Sequence, residues 1–211
     1  MRRAIKRLMD IAVAATGSVA LAPVMLGVAL AVRIAMPPPV LYRQMRPGYR
    51  GLPFELVKFR TMRDEFDADG RALPAHKRIT PLGQLLRRTS LDELPELWNI
   101  LKGEMSLVGP RPLLIEYLPL YSPEQARRHD AKPGLTGLAQ VSGRQLLGFD
   151  DRFALDVWYV DNWSLRLDLK ILVRTLQKVV AGEGVPPIAH VHQYFGDRPE
   201  PGAEGDGEGP E

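Results

Sequence analysis

Between Asp10 and Arg33 the chain runs for 22 residues without a charged side chain (IAVAATGSVALAPVMLGVALAV). At about 1.5 Å per helical residue, such a run is long enough to cross a hydrocarbon core of about 30 Å. A secretory signal peptide also opens with basic residues and an apolar run. Its apolar core is typically shorter, and cleavage here would leave a body with no sign of export. The flanks argue against a straight crossing. Arg2, Arg3, Lys6 and Arg7 precede the run, and Arg33, Arg43, Arg46 and Arg50 follow it. The positive-inside tendency therefore draws both ends toward the cytoplasm. Pro23, near the midpoint, lacks an N–H and disrupts a helix at the preceding turn. A bent helical hairpin that returns to its own side accommodates both facts. An ordinary kinked transmembrane helix, in which proline is tolerated, is the alternative.

The rest of the chain has the size and apolar content of one ordinary domain, with 45% apolar residues in 211. It contains no cysteine, which excludes disulfides, cysteine-ligated zinc and thiol catalysis. Residues 196–211 (GDRPEPGAEGDGEGPE) carry six acidic residues and one Arg, and residues 1–195 hold 27 basic against 19 acidic side chains, a net +8. That excess suits a partner bearing phosphates, whether nucleotide, nucleic acid or anionic lipid. The last sixteen residues are too poor in apolar side chains to fold and are expected to be disordered.

After the triple proline at 37–39, VLYRQMRPGYRGLPFELVKFRTM (40–62) reads as two short strands about a turn. Residues 64–78 read as a mobile polar loop with room for a short helix, and a helix is predicted from near Pro81 over LGQLLRR. Ser90–Lys102 (SLDELPELWNILK) predicts a second helix: Ser90 with Glu93 matches a capping box and Gly103 is the stop. Leu94, Leu97, Trp98 and Leu101 share one face of it, which makes Trp98 a core residue. Leu113–Tyr121 and Pro123–His129 look helical, and residues 132–144 look like turns and short extended pieces. Leu165–Val180 sets Leu169, Leu172, Val173, Leu176 and Val180 on one side and Lys170, Arg174 and Lys178 on another. Such a basic amphipathic helix can lie in a membrane interface or pack on its own core.

Asp92-Glu93 stands at a predicted helix start, where unpaired N–H groups and the helix dipole favour negative charge. Acidic residues there are commonly only helix-stabilising. Here cations surround them: KFRTM before, LLRRTS immediately ahead and GPRP just after. Lys58, Arg60, Arg87, Arg88 and Arg111 could converge on a diphosphate, Arg by bidentate contacts and Lys as a point charge.

The run TPLGQLLRRTSLDELPELWNILKGEMSLVGPRPLL resembles the signature of the bacterial sugar transferases, specifically the small monotopic phosphoglycosyl transferases. KFRTM upstream, and PGLTGLAQVSGR and LDVWYVDNWSLRLDLKIL downstream, resemble the family's other landmarks in the same order. The similarity spans roughly residues 1–180. It implies an α+β, mostly helical fold: a re-entrant membrane helix-break-helix (1–36), then a compact cytoplasmic head with interfacial amphipathic helices and a small β-hairpin (37–195). The acidic tail (196–211) has no counterpart. The resemblance also implies residence on the cytoplasmic membrane with the head on the cytoplasmic face. The partners it implies are a UDP-sugar donor, a polyprenyl phosphate acceptor and membrane lipid, with no nucleic acid. It further implies Mg2+ and a two-step reaction through a covalent intermediate. The family's Asp-Glu dyad falls on Asp92, the nucleophile that releases UMP, and Glu93, which helps hold the magnesium ion. Lys58, Arg87, Arg111, Arg144 and Asp168 become candidates for binding phosphate, nucleotide or metal, and Asp168 is equally placed to be a helix-capping acid.

One departure concerns the break, where relatives often pair a small polar residue with proline. Here Ala22 precedes Pro23 and Ser18 lies further back. His190 and His192, without further ligands, read as an exposed pair rather than a metal site. Trp158 and Trp163 are candidate interfacial anchors. Two other functions remain open at this level: a non-catalytic basic protein of membrane surfaces, and a membrane-attached metal-dependent phosphodiesterase with water as acceptor. Neither the oligomeric state nor the identity of the sugar can be read from the residues.

Overall fold

The computed structural model describes residues 2–67, 69–71, 73–143 and 148–181; Arg144, His190, His192 and the acidic tail lie outside the described residues. The apolar run forms two helices, α1 (Arg2–Ala20) and α2 (Ala22–Ala35), bent by 62° to one another. Backbone bonds from Leu21 to Gly17 (2.9 Å) and from Met25 to Leu21 (2.8 Å) continue on either side of the break. Pro23 has no N–H to return to Val19, and the Ser18 hydroxyl donates to Ala14 rather than to the break. Neither helix alone is long and apolar enough to cross a membrane, while the bent pair together is.

Both ends of this pair are fastened to one head. Next along the chain come a hairpin of β1 (Leu41–Pro47) and β2 (Pro53–Phe59), then the short α3 (Ala75–Arg78), α4 (Pro81–Thr89), a 3-10 turn at Leu91–Glu93 and α5 (Glu96–Lys102). After β3 (Ser106–Val108) the chain passes through a 3-10 turn at Ile115–Leu120, α6 (Pro123–Ala126) and another 3-10 turn at Arg127–Asp130. It ends with β4 (Gly134–Thr136), α7 (Leu138–Val141), α8 (Phe149–Asp161) and α9 (Leu165–Val180). Near the start of α1, Arg7 donates to the carbonyls of Ile100 (2.6 Å) and Leu101 (2.8 Å) in the last turn of α5. Asp10 is buried and accepts from Ser106 Oγ (3.1 Å) and Leu107 N (3.0 Å). Lys6 reaches the Val108 carbonyl (3.0 Å) and Asp168 (2.6 Å). Further along α1, Ala14 joins the main core with Phe54, Leu56, Leu97, Ile100, Met105, Tyr159 and Ile171. Val28, Val32 and Met36 of α2 pack on Phe59 and Leu86 in a second core. The outer faces leave Val19, Leu26, Leu30 and Ile34 exposed.

The hairpin matches its sequence expectation, with Tyr42 opposite Lys58 and Arg46 opposite Phe54. α4 starts where Pro81 and Thr80 direct it: the Thr80 hydroxyl accepts from Gly83 N at 2.9 Å. Gly83 is required by packing, since a Cβ there would lie 2.0 Å from the Thr61 carbonyl oxygen. The predicted Ser90–Lys102 helix is divided. Ser90 adopts a left-handed conformation (φ 58°) as the C-cap of α4 and makes no side-chain cap. The expected capping box is absent because the Ser90 backbone, whose N–H donates to the Arg87 and Leu86 carbonyls, closes α4 in a left-handed conformation, and Glu93 is engaged elsewhere. Trp98, expected in the core, is 59% exposed; the buried side of α5 carries Leu97, Asn99 and Ile100 instead.

Residues 132–144 contain more order than their turn-rich sequence promised. β4 pairs in parallel with β3, and α7 follows. The two strands approach so closely that a Cβ on Gly109 would lie 2.2 Å from the Lys132 carbonyl oxygen, and one on Gly134 2.1 Å from Gly109 N. α9 has the predicted bounds, capped by Ser164. Its inner face holds Asp168 and Ile171, while Leu169, Val173, Leu176 and Val180 point outward. Of the predicted apolar stripe only Leu172 packs on the core, beside Leu167 and Ile171, and the rest faces outward.

Removing one partner of a buried ion pair is strongly destabilising, while removing both is far milder. Lys6→Met is expected to lower the unfolding free energy by about 3 kcal/mol, and the Lys6→Met/Asp168→Asn double variant, which removes both charges and keeps an acceptor for Tyr159 and Trp163, by less. Denaturant melts in detergent micelles check both.

Candidate active site

The hairpin, the 3-10 turn at Leu91–Glu93 and the loop after β3 surround a cavity of about 380 Å³ lined by Lys58, Arg60, Arg87, Asp92, Glu93, Glu96 and Arg111, among others. Asn99, wholly buried, sets the register of this assembly. Its Nδ2 donates to the Glu55 carbonyl (2.7 Å) and its Oδ1 accepts from Val57 N (3.2 Å), which ties α5 to β2. Lys58, the next residue but one after the hairpin's Leu56, is thereby presented to the carboxylates.

Glu93 is the hub. Its Oε1 accepts from Lys58 Nζ at 2.8 Å and from Arg111 Nη2 at 2.6 Å. Burial alone would raise its pKa, but the Arg111 and Lys58 charges outweigh burial and hold Glu93 well below the usual carboxylate range. Lys58 also lies 2.9 Å from Glu96 Oε1. Burial, helped by the neighbouring Glu93 charge and only partly opposed by Lys58, pushes Glu96 up to about 7. Asp92 is 7% exposed, and its Oδ1 is buried without a hydrogen-bond partner. Burial and then the Glu93 charge raise its pKa, against the pull of Lys58, Arg87 and Arg111.

Arg87 comes off the last turn of α4, where Gly83 presses that helix onto Thr61, and its Nε donates to the Thr61 hydroxyl at 3.0 Å. Arg111 is held from behind: the buried Arg128, paired with Asp156, donates to the Arg111 carbonyl at 2.8 Å. Arg60 lines the cavity, with its guanidinium bound to Asp64 and the carbonyls of Met62 and Pro37.

Of the residues picked from sequence, Lys58, Arg60, Arg87, Asp92, Glu93 and Arg111 therefore meet. Arg88 is exposed and does not line the cavity. Asp168 is remote from it: Lys6 (2.6 Å), Trp163 Nε1 (3.0 Å) and Tyr159 OH (2.7 Å) all donate to its carboxylate. The helix start it was suspected of capping is capped by Ser164. Glu96 and Arg46 line the cavity and escaped notice. Glu96 lies one helical turn beyond Asp92 in DELPE, a spacing that places two acids on one face. Arg46 alternates with Gln44 and Tyr42 along a strand, which turns all three the same way.

No group of three or more His, Cys, Asp or Glu side chains suited to a metal occurs among the described residues. Magnesium does not require one, because it keeps several waters and is usually held by one or two carboxylates together with substrate phosphates. The unpartnered Asp92 oxygen, beside a Glu93 whose ion pairs both fall on Oε1, is an oxygen donor set of that kind.

The sequence model described as bacterial sugar transferase matches residues 1–182. An uncharacterized sugar transferase of Bacillus subtilis, EpsL, is 51% identical over 187 residues, spanning 89% of this chain and 93% of the relative. A UDP-glucose:undecaprenyl-phosphate glucose-1-phosphate transferase of Caulobacter vibrioides is 43% identical over 187 residues, 83% of this chain and 69% of that protein. An undecaprenyl-phosphate galactose phosphotransferase of Salmonella typhimurium is 42% identical over 164 residues, 69% of this chain and 34% of that protein.

Glu96 makes the stability of the fold pH-dependent. Its folded-state pKa of about 7 lies above the ordinary 4.5, so the folded chain holds a proton that the unfolded chain releases. The associated stability is complete below pH 4.5 and is lost as pH rises through about 7. Glu96→Gln is expected to flatten that fall, by up to about 1.4 kcal/mol per pH unit. Denaturant titrations at a series of pH values measure it.

Proposed function

The chain belongs to the bacterial sugar transferase family, and from that premise we propose that it moves a sugar 1-phosphate from a UDP-sugar to polyprenyl phosphate through a phosphosugar adduct on Asp92. The enzyme class, a sugar-phosphate transferase, follows from the family and its named members. The finer steps rest on the cavity. The single observation that carries them is the buried, unpartnered Oδ1 of Asp92, facing a cation-lined space beside a Glu93 already locked by two cations.

In the first step an Asp92 oxygen attacks the sugar-bearing phosphorus. A carboxyl–phosphorus bond forms, the bond to the bridging oxygen breaks, and UMP leaves with that oxygen. In the second step an oxygen of the polyprenyl phosphate attacks the same phosphorus, which releases Asp92 as a carboxylate and yields a diphosphate-linked lipid sugar. Splitting the transfer in two lets one positioned carboxylate serve both halves. Arg87, beside Asp92, is placed to bind the transferred phosphate, with Lys58 and Arg111 orienting Glu93. Glu93, together with oxygens of the substrate diphosphate, would hold magnesium, which would supply neutralisation of the diphosphate charge.

The acceptor's lipid tail places the reaction at a bilayer. The α1–α2 pair is proposed to enter the cytoplasmic membrane from its inner face and return, with the head on the cytoplasmic side. Three features support a return over a crossing: the 62° bend, the attachment of both ends to one head and the exposed apolar outer faces. The outward stripe of α9 is proposed to lie in the same interface.

Incubation with a panel of UDP-sugars and magnesium, scoring UMP release and a phosphosugar adduct by mass spectrometry, tests the reading. Asp92→Asn is expected to abolish both signals, and full activity in that variant would overturn the nucleophile. Glu93→Gln is expected to slow adduct formation and weaken its dependence on magnesium. Because burial raises the Asp92 pKa and only the ionised form attacks, adduct formation is expected to rise with pH along a limb above the ordinary aspartate value of about 3.9. Arg87→Gln, which removes a stabilising charge, is expected to move that limb further upward.

A further inference from the structure

The cations lining the cavity are not equally committed. Lys58 and Arg111 are bound to Glu93, with Lys58 also at Glu96. Arg60 and Arg78 are both paired with Asp64. Arg87 and Arg46 line the same cavity with no carboxylate within ion-pair distance among the described residues. Arg87 bonds a neutral hydroxyl, that of Thr61. Arg46 donates from Nη2 to Gln44 Oε1 at 2.6 Å, and its Nε is buried without a partner.

Different charges act on these two cations. Arg87 is in the field of Asp92 and Glu93. On Arg46, after burial, the charges that act most are Arg111, Tyr42, Glu116 and Glu96. On β1, Arg46 lies four residues from Tyr42, the partner of Lys58, about 13 Å along the strand. The bond to Gln44 folds its side chain back toward the Lys58 end. A half-buried guanidinium beside another guanidinium, with a dry N–H, is unfavourable until an anion arrives.

We propose that Arg46, steadied by Gln44, is the subsite for the nucleotide phosphate of the donor, the one that departs with UMP, while Arg87 faces the phosphate that Asp92 captures. The inference rests on the UDP-sugar reading above. It divides the diphosphate between two arginines with different duties: Arg87 stays with the adduct, and Arg46 holds the group that leaves. Charge accumulates on that group as the bridging bond breaks, so a fork-shaped donor there assists the first half-reaction and has nothing to do in the second.

The test uses UMP, the fragment common to all UDP-sugars, with the full-length chain in detergent micelles or nanodiscs. Calorimetric titration is expected to show UMP binding to the wild type and weakening of roughly tenfold or more in Arg46→Gln. Arg46→Lys, which keeps the charge without the fork, is expected to fall between them. Pre-formed adduct on Arg46→Gln is expected to be discharged by polyprenyl phosphate at the wild-type rate, because UMP has already gone. Unchanged UMP affinity in Arg46→Gln, or equal slowing of both half-reactions, would overturn the subsite while leaving the Asp92 adduct intact. No UMP binding to the wild type would instead bring down the donor reading itself.

Discussion

Lys6, Arg7 and Asp10 occupy the first turns of a helix whose remainder is apolar, and their partners are buried groups of the head: helix-end carbonyls of α5, Leu107 N, and Asp168. Polar groups in such surroundings are tolerated only when paired, so α1 cannot leave the head without stranding several at once. α2 returns to the same body through Val28, Val32 and Met36. The bent helix pair is thus fastened at both ends to the same head that carries the cavity. Charges that look, in sequence, like cytoplasmic anchors for a span are partly spent inside the protein. The contacts that hold both helices to one head are consistent with the proposed return of the pair to its own side.

A similar economy governs the cavity. Glu93 draws Lys58 from β2 and Arg111 from the loop after β3 onto a single oxygen. Three chain segments that share no regular secondary structure converge there. With those cations occupied, Asp92 is left less compensated than a count of nearby arginines would indicate, and burial raises its pKa. In the proposed reaction, a carboxylate poorly solvated and poorly paired would be a better attacking group than one held in a salt bridge. The difference between the two adjacent acids comes from their partners, since the residue types are nearly the same.

How far the sequence could be read follows the range of the interactions involved. α9, the hairpin and the start of α4 depend on neighbours a few residues away: the Ser164 cap, the Pro-Gly turn, and Thr80 ahead of Pro81. All three were legible. Ser90 was misread because its hydroxyl and the acid three residues on satisfy a local pattern, while the end of α4 takes Ser90 into a left-handed conformation. Asp168 was placed near the chemistry by resemblance, yet its nearest cation is Lys6, 162 residues away in the chain. Glu96 and Arg46 were missed because their significance lies in which cations remain unpaired. That property appears only when β1, β2 and α5 are assembled.

A tight backbone crossing in the head lies between Gly109 and Gly134, at the parallel pairing of β3 and β4. Two residues further on, Arg111 reaches Glu93. The aim of that arginine is therefore set at a place with no side chains at all, where two bare peptide planes nearly touch. A mutational survey that substitutes alanine and reads only catalysis would report Gly109 as an active-site residue. The chemistry of this enzyme is calibrated in part by an absence of atoms.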